Sequence, residues 1–505
     1  MSEREGPPRE RARPARFGPE ELAAALHLPP PTPEQAAVIA APPGPAVVVA
    51  GAGSGKTETM SARVVWLVAN ELVRPDQVLG LTFTTKAAGE LGTRIRTRLA
   101  QLRAFLGGGA GNTAGDPVLA GEPTVSTYHS YAGRLVAEHA LRLGVEPSVR
   151  LLTEAMTWQL AQRVVRTYDL DVPELDNAET TVTGWLLDLA GELAEHLVAP
   201  DELRRWTADL RAAILAKPRR SASGRGVAGE PYAEVRRLLD RAAARAALLP
   251  LVERYVRAKE ASAAIDFGDQ VAIAARVADS FAEVGRQERA RYAAVLLDEY
   301  QDTGHAQLTL LRGLYGGGHP VTAVGDPAQA IYGWRGASEA SLRRFRDHFR
   351  TAAGEPAPVL PLSVSFRNDE LILDVANDLS AELRGDVPLL TPGPRGGPGV
   401  VRAALLPTVL DEADWLAAQL AEVWEGEART VAVLCRRRSQ FDLIARALRA
   451  RGVPVELVGL GGLLATPEVR DLVSTLQVVS DPTAGAALAR LLTGARWRVG
   501  ARDLA

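Results

Sequence analysis

Short apolar runs and stretches of helical spacing take turns along the first 140 or so residues, and again from about residue 265. Residues 46–50, 78–82, 124–126, 294–298 and 321–325 read as buried strands, each followed by a turn and then a helical stretch. That alternation predicts a parallel sheet with helices on both faces. The rhythm breaks between about residues 144 and 264, where Ala, Leu and Arg recur at helical spacing with almost no strand candidates. This part reads as a helical insertion, and residues 217–231 (KPRRSASGRGVAGEP) read as an exposed loop within it. A glycine-rich loop, residues 107–116, interrupts the first sheet-forming part. Strand character restarts near residues 358–362, and residues 431–435 begin another strand–helix unit, so a second α/β domain is expected from about residue 358.

Composition narrows the class. A chain of 505 residues suggests about three domains at roughly 150 residues each. No uninterrupted apolar run is long enough to span a bilayer, so no membrane association is expected. Residues 1–16 are rich in Arg, Pro and Glu without an apolar stretch, and read as a disordered tail. The single cysteine, Cys435, excludes an intramolecular disulfide and fits a cytoplasmic protein with a buried thiol. A net charge of −3 does not decide on nucleic acid, because gripping a single strand needs a local basic groove with stacking surfaces. Only four of the 58 basic residues are lysines: Lys56, Lys86, Lys217 and Lys259. A lysine retained at a motif in so arginine-rich a chain is therefore informative.

Lys56 sits in such a motif. Residues 50–57 read AGAGSGKT between a predicted strand and a predicted helix, with Ala50 in the place of the first glycine of GxxxxGK[ST]. Glycines let a loop curl its N–H groups toward phosphate, and the helix start adds its positive dipole end. The candidate phosphate loop is Ala50, Gly51, Ala52, Gly53, Ser54, Gly55, Lys56 and Thr57. Lys56 would reach the β- and γ-phosphates, and Thr57 would ligate Mg²⁺. Residues 295–302, VLLDEYQD, supply the acidic partner at a strand end. Asp298 is placed to hold Mg²⁺ through water, and Glu299 to orient or deprotonate the attacking water, which implies phosphoryl transfer to water.

Further segments specify the purpose. Pro33-Glu34-Gln35 precedes the loop, residues 81–95 read LTFTTKAAGELGTRI, and residues 126–131 read STYHSY. Residues 324–337 read VGDPAQAIYGWRGA and residues 362–368 read LSVSFRN. In this order they closely resemble the motifs of the UvrD/Rep family of superfamily 1 DNA helicases, from about residue 31 onward. The resemblance implies a RecA-like P-loop NTPase domain with a helical insertion, followed by the start of a second RecA-like domain. Its divisions are a tail at 1–18, the first domain at 19–143 and 265–357, the insertion at 144–264, an incomplete second domain at 358–490, and the start of a further insertion at 491–505. It also implies ATP and Mg²⁺ as cofactors, 3′ to 5′ movement, and single-stranded DNA and single/double-strand junctions as partners. Gln35 should read adenine and Phe366, where many relatives have tyrosine, should stack on it. Gln329 should sense the γ-phosphate, and Arg367 should contact it across the cleft as an arginine finger. Phe83, Thr84, His129, Tyr332, Trp334 and Arg335 match positions that grip single-stranded DNA. Independently of the family, two aromatics and a guanidinium within residues 332–335 suit base stacking in an exposed loop.

Some segments stay open. Lys86 is either a solvated helix residue or close to the nucleotide and DNA cleft. The arginines at 436–438 form either a solvated or a DNA-facing edge, and residues 266–269 (DFGD) suggest turn geometry without chemistry. The chain is further expected to lack the family's C-terminal helicase motifs, a TxHxxKG-like segment and an arginine-bearing segment. On that expectation hydrolysis is impaired unless a partner subunit or a missing C-terminal half supplies them. Alternatives are a motor belonging to a RecB- or AdnAB-like helicase–nuclease, and an ATP-switched single-strand-binding fragment without unwinding activity. A signalling GTPase is excluded by the lack of an NKxD-type guanine reader.

Overall fold

A computed structural model describes residues 15–504, apart from 108–119, 147, 169–176, 218, 221–225, 228–231, 332, 334–339, 385–386, 425, 427–429, 459–465, 482 and 501. The chain divides into two compact units, residues 1–400 and 401–505.

The first unit is built on six parallel strands: β1 (Ala46–Ala50), β2 (Val78–Thr82), β3 (Thr124–Thr127), β4 (Ala294–Leu297), β5 (Val321–Gly325) and β6 (Val359–Leu362). Their order across the sheet is β6-β1-β5-β4-β2-β3. Side chains alternate between two cores. Val47, Val49, Leu79, Leu81, Val295 and Leu297 face one, while Val48, Ala50, Val78, Leu296 and Val324 face the other. β1, β2, β4 and β5 are covered on both faces and largely apolar, which is why they were visible as runs. Helices α1 (Pro19–Ala25), α2 (Pro33–Ile39), α3 (Lys56–Ala69), α4 (Thr85–Gly107) and α5 (Tyr128–His139) accompany the first three strands.

Strand β6 departs from expectation. The segment assigned by pattern to the start of a second domain is hydrogen-bonded to β1, with Val47 opposite Val359 and Ala50 opposite Leu362. As an edge strand it tolerates Pro361, which cannot donate to a ladder.

The insertion has its own core. Helices α6 (Glu154–Arg166), α7 (Glu179–His196), α8 (Pro200–Leu215) and α9 (Ala233–Ala261) follow one another, and Ala161, Leu186, Leu189, Leu249, Val252 and Tyr255 pack together among them. The chain leaves and returns at one neck, where Arg150–Leu151 pairs in parallel with Ala264–Ile265. There the buried Lys259 ammonium donates to Asp266 at 2.7 Å and Asp269 at 2.5 Å. Asp266 caps helix α10 (Phe267–Ser280) through the Asp269 N–H. The DFGD turn is thus a capping box bolted to the insertion. Helices α11 (Ala282–Arg291), α12 (His305–Tyr315) and α13 (Ala340–His348) complete the unit before β6.

The second unit carries helices Val409–Val423, Phe441–Ala450, Pro467–Ser480 and Gly485–Thr493. Ala413, Ala417, Ile444, Leu448 and Val453 form its small core, against which Val433 and half-buried Cys435 pack. The strand expected at residues 431–435 has no ladder among the described residues. Its alternation is real, yet a strand exists only where a neighbour takes up its backbone groups. Among the described residues, no helix is long and apolar enough to cross a membrane.

Candidate nucleotide and nucleic-acid site

The phosphate loop joins β1 to α3. Gly53 and Gly55 have φ of +77° and +79°, a conformation costly for other residues, and Gly55 is the N-cap of α3. A Cβ on Gly53 would stand 2.6 Å from Arg367 Cβ and from Ser365 Oγ, so this glycine also admits a close neighbour. The Ser54 hydroxyl donates to Gly51 O at 2.9 Å and fixes the curl. Ala50 is the buried last residue of β1, and Ala52 continues the turn. Ser365 Oγ, beside Gly53, is buried without a hydrogen-bond partner among the described residues. A positive-φ loop at a helix start, with a lysine and an orphaned hydroxyl, fits a polyphosphate. Thr57 begins α3 next to Lys56 and, with Asp298, offers the hard oxygen donors that suit Mg²⁺.

The acidic strand end faces this loop. Lys56 Nζ lies 3.5 Å from Glu299 Oε2. Glu299 itself has φ of +51°, a strained backbone for a residue with a side chain. Burial, and then the neighbouring Glu299 charge, push the Asp298 carboxyl up to about 6, against an opposing pull from Lys56. A metal ion there would favour the ionised form.

A chain of hydrogen bonds leads away from Glu299. Gln301 Nε2 donates to Glu299 Oε2 at 2.9 Å, and Gln301 Oε1 accepts from the Asp326 N–H at 3.1 Å. Asp326 Oδ2 then accepts from Gln329 Nε2 at 2.7 Å. Gln301 is 1% exposed, so each amide end is committed. The sequence reading passed over Gln301; the glutamine standing two places after Glu299 was the available signal. It connects the Glu299 carboxylate with the loop that leads into residues 332–335.

Around the loop, Gln35 Nε2 donates to Ser54 O at 3.2 Å. The Phe366 N–H donates to Gly53 O at 2.8 Å, while its ring is half exposed. Arg367 was expected to reach the site from a second domain; its backbone instead follows β6 in the first unit and rests on Gly53. The order of the segments on the sheet edge explains this, since only three residues separate β6 from Phe366.

The residues expected to grip DNA divide into two groups. Phe83, Thr84 and His129 are described; Tyr332, Trp334 and Arg335 lie outside the described residues. Phe83 packs its ring 4.9 Å from Tyr128, and Thr84 Oγ1 accepts from the Ala87 N–H to cap α4. Phe83 and His129 line a groove of about 1260 Å³ together with Thr85, Thr127, Ser130 and Gly333. The opposite wall, from α7, presents Asp188, Glu192 and Glu195. Phe267 in the same groove was missed: it is 49% exposed and stands edge-on to His129 at 5.7 Å between centroids. An apolar ring at the first position of a capped helix was the signal. Lys86 is 86% exposed and pairs with Glu90 at 4.0 Å, as a solvated helix residue does.

Fold and site together define a RecA-like P-loop protein, mostly helical around a parallel central sheet. Comparison with known proteins then places it more closely. The UvrD/REP helicase N-terminal domain matches residues 31–350, and the UvrD-like helicase C-terminal domain matches residues 361–505. The chain belongs to the UvrD/REP helicase family. The ATP-dependent DNA helicase UvrD1 of Mycobacterium tuberculosis is 27% identical over 93% of this chain and 55% of the relative. DNA helicase II of Escherichia coli is 26% identical over 93% and 57%, and the ATP-dependent DNA helicase PcrA of Leuconostoc citreum 25% over 93% and 55%. The chain thus spans about half the length of these curated relatives. The expectation that it resembles only the family's N-terminal part and lacks the C-terminal helicase motifs is not borne out, because the C-terminal domain is matched.

Proposed function

We propose that this chain is an ATP-driven DNA helicase motor that moves 3′ to 5′ on single-stranded DNA and works at single/double-strand junctions in repair or recombination. The observation that carries the reading is the hydrogen-bonded line from Lys56 through Glu299, Gln301 and Asp326 to Gln329. It links a phosphate-binding lysine to the loop whose next residues are the aromatic candidates for DNA.

MgATP would supply the phosphoryl group and the driving free energy. The N–H groups of residues 51–55 and the Lys56 ammonium would hold the phosphates, with Thr57 and Asp298 holding Mg²⁺. Glu299 and phosphate compete for the Lys56 ammonium, so a bound phosphate that takes Lys56 frees Glu299 to orient a water and take its proton. Any shift of the Glu299 carboxylate moves Gln301, and through Asp326 moves Gln329. Arg367 would neutralise charge on the transferred group, Gln35 would read the base, and Phe366 would stack on it. On the DNA side, the acidic wall of α7 would repel a phosphate backbone. The strand would therefore run along Thr85, Thr127, His129 and Ser130, with bases toward Phe83 and Phe267.

The test is ATP hydrolysis measured without DNA, with duplex and with single strands. Stimulation specific to single strands supports the motor. Equal turnover in all three conditions would sink it.

A further inference from the structure

Helix α2 is fastened to three parts of the phosphate site. At its start, Thr32 caps it and the Gln35 amide bridges Thr32 N and Ser54 O, at 3.0 and 3.2 Å. At its end, the buried Arg63 guanidinium from α3 donates to the carbonyls of Val38, Ile39 and Ala41 at 2.9, 3.2 and 2.8 Å. Arg63 Nε also reaches Thr322 of β5 at 3.1 Å. These carbonyls are the ones a helix end leaves without partners, and a cation there is favourable. Helix α2 is accordingly locked to α3 and the sheet.

The third tie comes from Glu34. Its Oε2 accepts from the Ser363 N–H at 2.6 Å, and its Oε1 accepts from the Ser363 hydroxyl at 2.7 Å. Both bonds end on a carboxylate and are of the stronger, charge-assisted kind. On its other side the same segment is bonded to Thr391 N and Gly393 N through the carbonyls of Ser363 and Ser365. Glu34 therefore holds the edge that faces the phosphate loop. From Ser363 the chain has only four residues to Arg367, which leaves little slack.

We infer that Glu34 is a positioning residue, which couples the helix that places Gln35 to the strand that places Phe366 and Arg367 over the phosphate loop. The inference rests on the nucleotide-motor reading above. Glu34 and Ser363 bond to each other, so their effect on the site passes through the backbone of residues 363–367. Removing the grip would leave Arg367 able to drift, and misplacement by about 1 Å can cost roughly a hundredfold in rate.

The experiment compares the parent chain with Glu34→Ala, Glu34→Gln, Ser363→Ala and the double alanine variant, in two readouts. Amide hydrogen exchange without nucleotide follows residues 363–367, and ATP hydrolysis with single-stranded DNA gives kcat and KM. Glu34→Ala should speed exchange at Ser363 and Phe366 by about tenfold. It should lower kcat by roughly ten- to a hundredfold while KM changes less. Glu34→Gln, which keeps one acceptor, should recover most of both, and Ser363→Ala, which keeps its N–H, should lose less. The double variant should be no worse than Glu34→Ala, since both substitutions remove one interaction. Unchanged exchange at residues 363–367, or an unchanged kcat in a folded Glu34→Ala chain, would overturn the inference. A general loss of protection across the sheet would overturn it too, by making Glu34 a stability residue. A parent chain without DNA-stimulated hydrolysis would instead refute the motor reading, and the exchange readout would still decide whether Glu34 holds the segment.

Discussion

Strand β2 and residues 431–435 are close in composition and differ in fate. Leu79 and Leu81 of β2 are fully buried, between β3 and β4 on either side and helices above and below. In the second unit Val433 and Cys435 pack inward, but Leu434 is 95% exposed and no ladder forms among the described residues. Apolar pattern therefore reports what one face of a segment can bury. Whether the segment becomes a strand depends on neighbours that the local pattern does not name.

The contrast can be put to measurement. Leu79→Ala should cost about 2–5 kcal/mol in thermal or denaturant unfolding of the first unit, because it opens a cavity in the core on one face of the sheet. A loss under about 1 kcal/mol would mean that this part of the sheet is loosely packed. Phe267→Ala should weaken single-strand binding by roughly 1–3 kcal/mol while sparing ATP affinity, as loss of one stacking surface would. Equal DNA affinity would return Phe267 to the role of a capping-turn residue. Amides of residues 431–435 should exchange faster than those of β2 by several orders of magnitude, as unpaired backbone does. Strong protection there would show that these backbone groups are paired and the segment is a strand. Smallest of all, Leu434→Ala should change stability by less than about 0.5 kcal/mol, since the side chain is already in water.

The same logic explains what the chain disclosed in advance. The sheet was readable because four of its strands, β1, β2, β4 and β5, are covered on both faces and appear as short apolar runs. The phosphate loop was readable because positive φ at Gly53 and Gly55 needs glycine, and because Lys56 is a rare lysine. Strand β6 was visible as a strand, but its pairing with β1 was not, since pairing is a tertiary choice. Arg367 moved with it, from the far side of a cleft to the backbone beside Gly53. Gln301 and Phe267 were missed for opposite reasons. Gln301 matters through one partner distant in sequence, Asp326, and one near neighbour, Glu299, whose turned backbone the pattern does not show. Phe267 stood inside a motif already explained by its two aspartates.

The central claim is that Gln301 wires the hydrolytic carboxylate to the DNA-facing loop, and replacing it tests that claim most directly. ATP hydrolysis would be measured with and without single-stranded DNA for the parent chain and for Gln301→Ala, after confirming that both bind ATP and DNA. The account predicts that the parent is stimulated and that the variant binds both ligands but loses stimulation, by roughly ten- to a hundredfold. A variant that keeps full stimulation would contradict it and move the coupling elsewhere.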